Sequence, residues 1–288
     1  MGAGTMGSQI AQQAALQGID VDLVDADAGQ LRRAAESNRG HLERRVAKGG
    51  LRPEDAEAAL DRVRPATELR VAAGCHWAIE AILEDESAKR RALAELDEQL
   101  PPDAGIATNS SNIAISRIAG ATGRPQLCCN MHFFHPVLVV DLCEVMGGPD
   151  TAPETLDRAV AWAVRMQRHP LRIRGELDGL VVNRVLGAAS AEGFSLLADG
   201  VAEPQAIDTA ARSGLGWPMG PFQLADFSGV DVIRHVRADR SARSGDPRDA
   251  ATVAVLDRLI AAGRLGRKSG RGFYAYDSTP PRALPLPD

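Results

Sequence analysis

Cysteines, aromatic residues and long apolar runs are all scarce in this sequence. The 288 residues include four cysteines, and aromatic residues make up 4% of the chain. The cysteines form neither CxxC pairs nor the spacing of zinc ligands, so we expect free thiols, no bound metal and a reducing compartment, the cytoplasm. No apolar run approaches the length of a bilayer crossing, and the N-terminus lacks the pattern of a secretion signal, so we expect neither.

Positive charge is also in short supply. The 33 lysines and arginines are outnumbered by 38 acidic residues, which gives a net charge of -5. This balance argues against a nucleic-acid coat or an anionic membrane surface, so we expect neither as a partner. Any basic patch for an acidic substrate must therefore be local. A chain of 288 residues is long for one hydrophobic core and comfortable for two, and its 44% of hydrophobic residues is ordinary for a soluble globular protein.

Residues 1–177 have the pattern of an α/β domain. Short apolar runs alternate with longer amphipathic stretches, which favours a parallel sheet flanked by helices. We predict strands at 19–25, 77–83, 105–109, 127–134, 139–146 and 171–173. Helices are predicted at 8–17, 30–48, 113–119 and 154–168, with one more starting at Pro53 and another ending near Leu100.

Residues 178–288 are predicted to form a separate, all-helical domain. Helical patterns cover 180–197, 203–213, 220–236 and 250–261. The tail 280–288 is rich in proline, and we expect it to be loose. Residues such as Leu186 and Phe194 supply more apolar surface than one small domain needs, so we expect this domain to pair with its twin in a homodimer.

The chain opens on GAGTMG, which is a GxGxxG motif followed at once by a helix. Gly2 permits the tight turn, Gly4 lets the backbone approach a pyrophosphate, and Gly7 lets the helix and a strand pack closely. Thr5 and Met6 lie within the motif, directly before the predicted helix, whose N-terminus offers N–H groups to phosphates. The alternative is a tight glycine turn in some other α/β fold.

Asp25 follows about 20 residues after this motif, at the end of a predicted strand. A carboxylate there accepts hydrogen bonds from the adenosine ribose and repels a 2′-phosphate. Ala26 and Asp27 come next, with no arginine to accommodate that phosphate. The sequence therefore favours NAD over NADP in a Rossmann-type, doubly wound domain.

One element of that fold is missing from the sequence. A strand should precede the glycine loop, but only Met1 stands before Gly2. The absent strand would lie at the centre of the sheet. Two explanations remain open: the true start lies upstream, which we favour, or the chain is a shortened form with a damaged nucleotide site.

Eight segments occur in an order typical of one enzyme family. They are GAGTMG, IEAILED, TNSSNIAIS, MHFFHPV, LCEV, VVNR, GWPMGPFQLADFSGVD and GRKSGRGFYAY. Together, from Gly2 to about Tyr276, the chain resembles the L-3-hydroxyacyl-CoA dehydrogenases, including the bacterial 3-hydroxybutyryl-CoA enzymes. The resemblance implies NAD-dependent oxidation of (S)-3-hydroxyacyl-CoA to 3-ketoacyl-CoA, as in fatty-acid β-oxidation. It also implies a dinucleotide domain followed by a helical domain that dimerises.

The resemblance assigns the proton transfer to His132 and Glu144. His132 ends a predicted strand and matches the family's catalytic base; a structural histidine is the alternative. Glu144 matches its carboxylate partner, which holds the ring and stabilises the imidazolium. A reversing chain would bring the two strands side by side. The apolar neighbours of Glu144 indicate burial, and a buried carboxylate needs a partner; an exposed acid at a strand end is the alternative.

Other matches concern the substrate and the cofactor. Ser111 and Asn183 match residues that hydrogen-bond the 3-oxygen, and Ser111 also belongs to the cofactor contacts. The alternatives are a turn or helix cap at Ser111 and a buried polar residue near a helix start at Asn183. Glu84 and Lys89 match positions that contact NAD; otherwise they are solvated charges. Lys48 closes an Arg-rich helical region that could bind the phosphates of coenzyme A, or form a solvated helix face.

The sequence departs from the family at HFFHP, where His135 replaces the usual asparagine near the nicotinamide ribose. Histidine can still donate or accept a hydrogen bond there, so we expect activity with altered cofactor contacts. His132 and His135 could suggest a metal pair. We expect none, because residues three apart on a strand face opposite sides and no third ligand recurs nearby.

Two other functions stay open. One is a dehydrogenase of a free hydroxy acid or sugar acid on the same scaffold; relatives of that kind use a lysine base, where Asn183 stands in this chain. The other is a non-catalytic nucleotide-binding protein, as in the lens crystallins related to this family. The absent strand supports it, whereas intact Ser111, His132 and Glu144 oppose it.

Overall fold

The computed structural model describes residues 1–245 and 247–287 and divides the chain into two compact units. The first unit is Met1–Val181, and the second begins at Val182. The change falls close to the point, after residue 177, where the sequence pattern turns from alternating to helical.

The first unit alternates strands and helices along the chain. Its helices are α1 (Thr5–Leu16), α2 (Ala28–Ala47), α3 (Pro53–Asp61), α4 (Glu86–Gln99), α5 (Ile115–Ala119) and α6 (Pro153–Arg165). Its strands are β1 (Val21–Val24), β2 (Val63–Ala66), β3 (Trp77–Glu80), β4 (Gly105–Thr108), β5 (Cys128–Phe133), β6 (Leu142–Met146) and β7 (His169–Ile173). The α/β pattern is confirmed, and β2 is a strand that the apolar pattern did not reveal.

The strands form two sheets whose pairings are parallel except for β5 with β6. One sheet has the order β3-β4-β5-β6-β7, and the other contains β1 and β2. Helices α1 and α6 contribute Ile10 and Ala159 to a core on one face of the larger sheet. Helices α4 and α5 contribute Leu93 and Ile118 to a core on the other face. This is the three-layer arrangement of a Rossmann-like domain.

The two sheets are separate between β1 and β3, where the sequence lacks the strand expected before the glycine loop. Met1 and Gly2 lie between β1 and β3 and bond to both. Gly2 N donates to Val24 O (2.7 Å), Met1 N donates to Ile79 O (2.9 Å), and Ala81 N donates to Met1 O (2.9 Å). Met1 and Gly2 therefore join the edges of the two sheets through backbone hydrogen bonds.

The second unit is mostly helical. Its elements are α7 (Leu180–Ala198, which begins at the junction), α8 (Pro204–Leu215), α9 (Pro221–Ser228), α10 (Val230–Ser244), α11 (Pro247–Ala261), β8 (Tyr274–Ala275) and β9 (Arg282–Ala283). The single helix predicted over 220–236 is wrong, because Gly229 adopts a φ of 101° and separates α9 from α10. The prediction of a wholly helical domain also missed the short antiparallel pair β8–β9.

The buried Asp226 fixes the loops of this unit. The carboxylate of Asp226 accepts hydrogen bonds from the backbone of Phe273 and of Tyr274, each at 2.9 Å. A Cβ at Gly272 would lie 1.9 Å from Asp226 Oδ1, so this approach requires glycine. Burial raises the pKa of Asp226 above its ordinary value. The segments GWPMGPFQLADFSGVD and GRKSGRGFYAY, which contain these residues, therefore have a structural role within the unit.

The prediction of a loose tail is wrong for the described residues. β9 pairs with β8, and Leu284 N donates to Phe273 O at 2.9 Å. The buried Arg264 donates to Pro285 O at 2.7 Å, and Leu286 packs against the core of the unit. Proline content gave the wrong expectation because apolar side chains between the prolines supply the contacts.

Deleting residues 282–288 should lower the melting temperature by roughly 3 °C or more, because each kcal/mol lost shifts a chain of this size by a few degrees. The physical reason is the loss of the β8–β9 pairing and of the acceptor for Arg264. Differential scanning calorimetry would measure it, with deletion of residues 287–288 as the control. An unchanged transition in the longer deletion would contradict the packing described above.

Helix α7 meets the length and composition of a bilayer crossing, contrary to the sequence expectation. Its 19 residues have a mean hydropathy of 1.2, and 22% of the window is buried. The expectation failed because Arg184 and Glu192 interrupt the apolar run but barely lower the mean hydropathy of the helix. A single helix of this kind is weak support for a membrane segment. The exposure of its apolar side chains therefore requires an explanation other than a bilayer.

Candidate active site

The glycine loop is built by close backbone contacts. Gly2 has a φ of 90°, and a Cβ at this position would lie 2.7 Å from the carbonyl oxygen of Ala81. A Cβ at Gly7 would lie 1.9 Å from Gly2 O. The first and third glycines of the motif are therefore required by packing and by backbone conformation.

Gly4 differs from its two neighbours because the space beside it is open. Its φ is -67°, which any residue adopts, and a Cβ there would meet nothing within 4 Å. Gly4 is also the N-cap of α1 and has no side chain to satisfy the N–H groups of the first turn, which include those of Thr5 and Met6. An open cradle at a helix N-terminus fits a diphosphate.

Asp25 joins the loop to the end of β1. Its Oδ2 accepts a hydrogen bond from Ala3 N (2.8 Å), and its Oδ1 accepts one from Asp27 N (2.9 Å). A cavity of about 570 Å³ opens beside it. Gly2, Asp25, Thr67, Leu69 and Ile82 are among its lining residues. The cavity and the acidic side chain suit the adenosine half of a dinucleotide. The residues present therefore fit NAD.

A buried ion pair lies behind the end of β3. Glu80 and Lys89 have side chains that are 0% and 1% exposed, and Lys89 Nζ lies 2.7 Å from Glu80 Oε1. Glu80 also accepts hydrogen bonds from Thr108 Oγ1 and from Ile82 N, at 2.7 and 2.6 Å. With its charges paired and its oxygens satisfied, the group is fixed in place.

Lys89 connects this ion pair to Glu84. Glu84 and Lys89 are the two residues that were expected to contact NAD. Lys89 Nζ lies 3.3 Å from Glu84 Oε2, and the other oxygen of Glu84 accepts hydrogen bonds from Ser110 Oγ and Asn112 N. Lys89 is therefore not a solvated charge. It holds Glu84, which in turn holds the loop after β4. Direct contact of Glu84 and Lys89 with a cofactor stays a prediction.

His132 and Glu144 face each other across the antiparallel β5–β6 pair. The ladder aligns the two residues directly, and His132 Nδ1 lies 3.0 Å from Glu144 Oε2. Glu144 is fully buried, and its Oε1 accepts a hydrogen bond from Val181 N at 2.9 Å. The ring of Phe134 packs edge-on against the imidazole at 4.5 Å between centroids. The imidazole is thus held on two sides.

This contact decides which ring nitrogen can accept a proton. An ionised carboxylate has no proton to give, so Nδ1 of His132 must be the donor to Glu144. Nε2 then carries the lone pair of the neutral ring. Transfer of a proton to Nε2 would produce an imidazolium beside the Glu144 carboxylate, which stabilises it.

Ser111 lies near the same edge of the sheet as His132. Thr108 and Asn130 are paired between β4 and β5, and the two residues follow shortly after. The loop is anchored to β5, because Asn109 Oδ1 accepts a hydrogen bond from Phe133 N at 2.9 Å. Ser111 is half-buried and its Oγ accepts a bond from Asn112.

The remaining site residues are more dispersed. His135 is exposed and follows β5. It lies near His41, whose pKa is lowered mainly by burial and also by Arg44 and His135. Lys48 is exposed at the C-terminus of α2, and coenzyme A contacts from it stay a prediction. Asn183 is half-buried on the first turn of α7, in the second unit, two residues after Val181.

The sequence analysis missed the polar residues that support the site. Neither Glu80 nor Asn130 was singled out from the sequence. Asn130 Oδ1 accepts from Ile115 N (2.9 Å), and its Nδ2 donates to Ile113 O (3.1 Å), which fixes the entry to α5. The signal was present: a polar residue inside a buried strand requires a partner.

Family models match both parts of the chain. The model described as 3-hydroxyacyl-CoA dehydrogenase, NAD binding domain, matches residues 1–176. The model described as 3-hydroxyacyl-CoA dehydrogenase, C-terminal domain, matches residues 179–276.

Individual relatives agree with these models. The 3-hydroxybutyryl-CoA dehydrogenase of Bradyrhizobium diazoefficiens is 35% identical, with 98% of this chain and 95% of that protein covered. The 3-hydroxyadipyl-CoA dehydrogenase of Escherichia coli is 36% identical, and the match spans 96% of this chain but 58% of that longer protein. The solved (S)-3-hydroxybutyryl-CoA dehydrogenase of Ralstonia eutropha is 33% identical, with a TM-score of 0.89 over 96% of this chain and 97% of that one.

Proposed function

The chain belongs to the 3-hydroxyacyl-CoA dehydrogenase family, and from this premise we propose that it oxidises the 3-hydroxyl of (S)-3-hydroxyacyl-CoA to a ketone with NAD. The substrate class includes 3-hydroxybutyryl-CoA, and the reaction belongs to fatty-acid oxidation. Residues 1–177 would bind NAD, and residues 178–288 would bind substrate and dimerise. We expect the protein to act in the cytoplasm, in agreement with its four free thiols.

The buried pair of His132 and Glu144 is the observation that carries the proposal. Oxidation of a secondary alcohol requires a base for the hydroxyl proton, and a neutral imidazole with a held orientation is suited to it at neutral pH. The pair lies in the same sheet as β3 and β4, whose ends carry the loops expected to contact NAD. Proton acceptor and cofactor loops therefore belong to one rigid framework.

In the proposed mechanism, Nε2 of His132 takes the hydroxyl proton while the C3–H bond breaks. When bound, NAD supplies the acceptor for the hydride that leaves C3. Glu144 stabilises the imidazolium until its proton passes to solvent. Ser111 and Asn183 donate hydrogen bonds to the 3-oxygen and stabilise the negative charge that develops on it. The products are the ketone, NADH and one proton.

A spectrophotometric assay with the full chain tests this function. NADH should appear with (S)-3-hydroxybutyryl-CoA and NAD, and should be absent with the (R) isomer and with free 3-hydroxybutyrate. Turnover of the free acid alone would instead favour a hydroxy-acid dehydrogenase. Binding of NAD without turnover of any of these substrates would favour a non-catalytic nucleotide-binding protein.

Asp25 gives a prediction about cofactor choice. The Asp25→Asn variant keeps one acceptor but loses the charge, so its Kd for NAD should rise about tenfold, equivalent to about 1.4 kcal/mol. Its preference for NAD over NADP should narrow, because the repulsion of a 2′-phosphate is removed. Fluorescence titration with both cofactors measures the two effects. An unchanged ratio of the two Kd values would contradict the ribose-binding role of Asp25.

The exposed apolar side chains of the second unit support a homodimer. Val185 on α7 and Val232 and Val236 on α10 are at least half exposed. The two helices touch, because Arg237 donates to Gly187 O at 2.7 Å. Apolar patches of this kind mark interaction surfaces. We expect a second copy of the chain to cover α7, which also accounts for its hydropathy without a bilayer.

Light scattering at micromolar concentration should give twice the chain mass. The Val185→Arg variant should shift the population toward monomer, because a charge would be buried in the interface. The matched control is Val164→Arg, at an exposed valine of the first unit, which should leave the mass unchanged. A monomeric parent chain would rule out the dimer.

A further inference from the structure

We propose that residues 176–181, here called the junction segment, position the pair of His132 and Glu144 for proton transfer. Glu176 is the residue that holds the segment in place, and it acts through the backbone N–H of Val181. The proposal rests on the proposed function and adds a positioning residue to the two residues that handle the proton. The contacts that carry it all lie within the first unit.

Both carboxylate oxygens of Glu144 have fixed partners. Oε2 lies 3.0 Å from His132 Nδ1, and Oε1 accepts the hydrogen bond from Val181 N at 2.9 Å. The last torsion of a glutamate side chain is soft, so a carboxylate held through one oxygen alone can turn. Turning would move Oε2 away from the ring. The N–H of Val181 therefore fixes the carboxylate and, through it, the direction in which Nε2 of His132 points.

The chain reaches Val181 through an unusual backbone conformation. Gly179 has a φ of 77°, and Leu180 has a φ of 51°, which is a left-handed conformation that leucine rarely adopts. Such a conformation persists only where the surroundings hold it, and it is typical of functional sites. The side chain of Leu180 is 1% exposed and packs in a cluster with Met146 of β6. The turn and the buried side chain together direct the N–H of Val181 toward Glu144.

Glu176 anchors the start of the junction segment to α5. Its Oε1 accepts a hydrogen bond from Ser116 N (3.0 Å), and its Oε2 accepts one from Ser116 Oγ (2.6 Å). The N–H of Ser116 belongs to the first turn of α5 and has no acceptor within the helix, so the carboxylate satisfies it. Leu177 N adds a hydrogen bond to Met146 Sδ at 3.1 Å. The junction segment is therefore fastened at both of its ends.

The anchor is built on the same strands as the proton-transfer pair. The entry to α5 is fixed by Asn130, which lies two residues before His132 on β5. Gly148 follows β6, and a Cβ there would lie 3.2 Å from Glu176 Oε1, so glycine permits this close approach. Loss of the anchor would therefore free one end of the segment that holds Glu144, while the strands themselves stay in place.

The test compares Glu176→Ala with Glu176→Gln in the full chain. The alanine variant loses both bonds to Ser116, whereas glutamine keeps an acceptor for Ser116 N and can donate to its hydroxyl oxygen. We expect the alanine variant to lower kcat with (S)-3-hydroxybutyryl-CoA about fivefold or more, with KM and the Kd for NAD nearly unchanged. Glutamine should restore most of the activity. Glu176 is exposed, so both variants should fold. A parent-like kcat in the alanine variant would overturn the proposal.

A control variant and a double-mutant cycle separate positioning from a general loss of structure. Asp157→Ala removes another exposed carboxylate of the first unit, which pairs with Arg172 on β7, and should leave kcat unchanged. In the Glu144→Gln background, Glu176→Ala should have little further effect on kcat, because the charged partner of Nδ1 is already gone. An equal fall in the Asp157 variant, or the same fold-loss from Glu176→Ala in both backgrounds, would overturn the proposal.

A measurement without substrate distinguishes failure of this proposal from failure of the proposed function. The proton between His132 Nδ1 and the Glu144 carboxylate should give a downfield proton NMR resonance, identified by its absence in His132→Ala. It should shift or broaden in Glu176→Ala and return to its parent position in Glu176→Gln. An unchanged resonance in the alanine variant would overturn the positioning role. A parent chain with this response but no turnover would refute the proposed function and still support the junction segment as the holder of the pair.

Discussion

Replacing His132 with alanine should lower kcat by a factor of about 10²–10⁴ and leave the Kd for NAD nearly unchanged. The reason is the loss of the proton acceptor, whose Nδ1 is held 3.0 Å from Glu144. The glycine loop and Asp25 are held by their own contacts, so truncation of the His132 side chain should leave them intact. Steady-state kinetics with (S)-3-hydroxybutyryl-CoA, together with NAD titration, measure the two quantities. Near-normal turnover would mean that another group takes the proton.

The Glu144→Gln variant is the control for this assignment. Glutamine keeps the size and one acceptor for Val181 N but carries no charge, so it should lower kcat with little change in KM. Its melting temperature should be checked, because Glu144 is fully buried. A variant that folds and turns over normally would show that the carboxylate is not needed beside the imidazole.

The Gly7→Ala variant should lose about 2–3 kcal/mol of unfolding free energy and most of its affinity for NAD. The added Cβ would lie 1.9 Å from the carbonyl oxygen of Gly2, a distance that forces the backbone of the loop to move. Urea denaturation measures the loss of stability, and equilibrium dialysis measures NAD binding. Parent-like values for both would contradict the packing of the loop.

Gly4→Ala is the matched comparison within the same motif. The position has an ordinary φ and open space, so alanine should be tolerated or slightly stabilising in the absence of cofactor. NAD affinity should nevertheless fall about tenfold or more, because the methyl group would occupy the cradle for the diphosphate. Equal stability losses at Gly4 and Gly7 would refute the division of roles.

The sequence predicted the elements whose side chains repeat with a regular period. The alternation of apolar runs with amphipathic stretches predicted the α/β unit, and the spacing of His132 and Glu144 predicted two strands side by side. Strand β2 was not predicted, because Arg64 and Pro65 are exposed and only the two end residues of the strand are half-buried. The break between α9 and α10 was not predicted, because the helical spacing of apolar residues continues through Gly229.

Contacts distant in the chain could not be predicted in this way. The pairing of Lys89 with Glu80 depends on helix α4 folding back over the end of β3. Each residue alone has the pattern of a solvated charge or of an interruption in a strand. The position of the tail likewise depends on Arg264, whose side chain reaches Pro285 O across 21 residues. Local periodicity carries no information about such partners.

The most direct test of the central claim is isotope transfer with the parent chain. NADH carrying two deuterium atoms at C4 is incubated with acetoacetyl-CoA, and the 3-hydroxybutyryl-CoA product is analysed by mass spectrometry. Direct hydride transfer predicts one deuterium atom at C3 and a product of (S) configuration, with no label arriving when His132→Ala is used over the same interval. Unlabelled product, or no product from the parent chain while free acetoacetate is reduced, would contradict the proposed reaction.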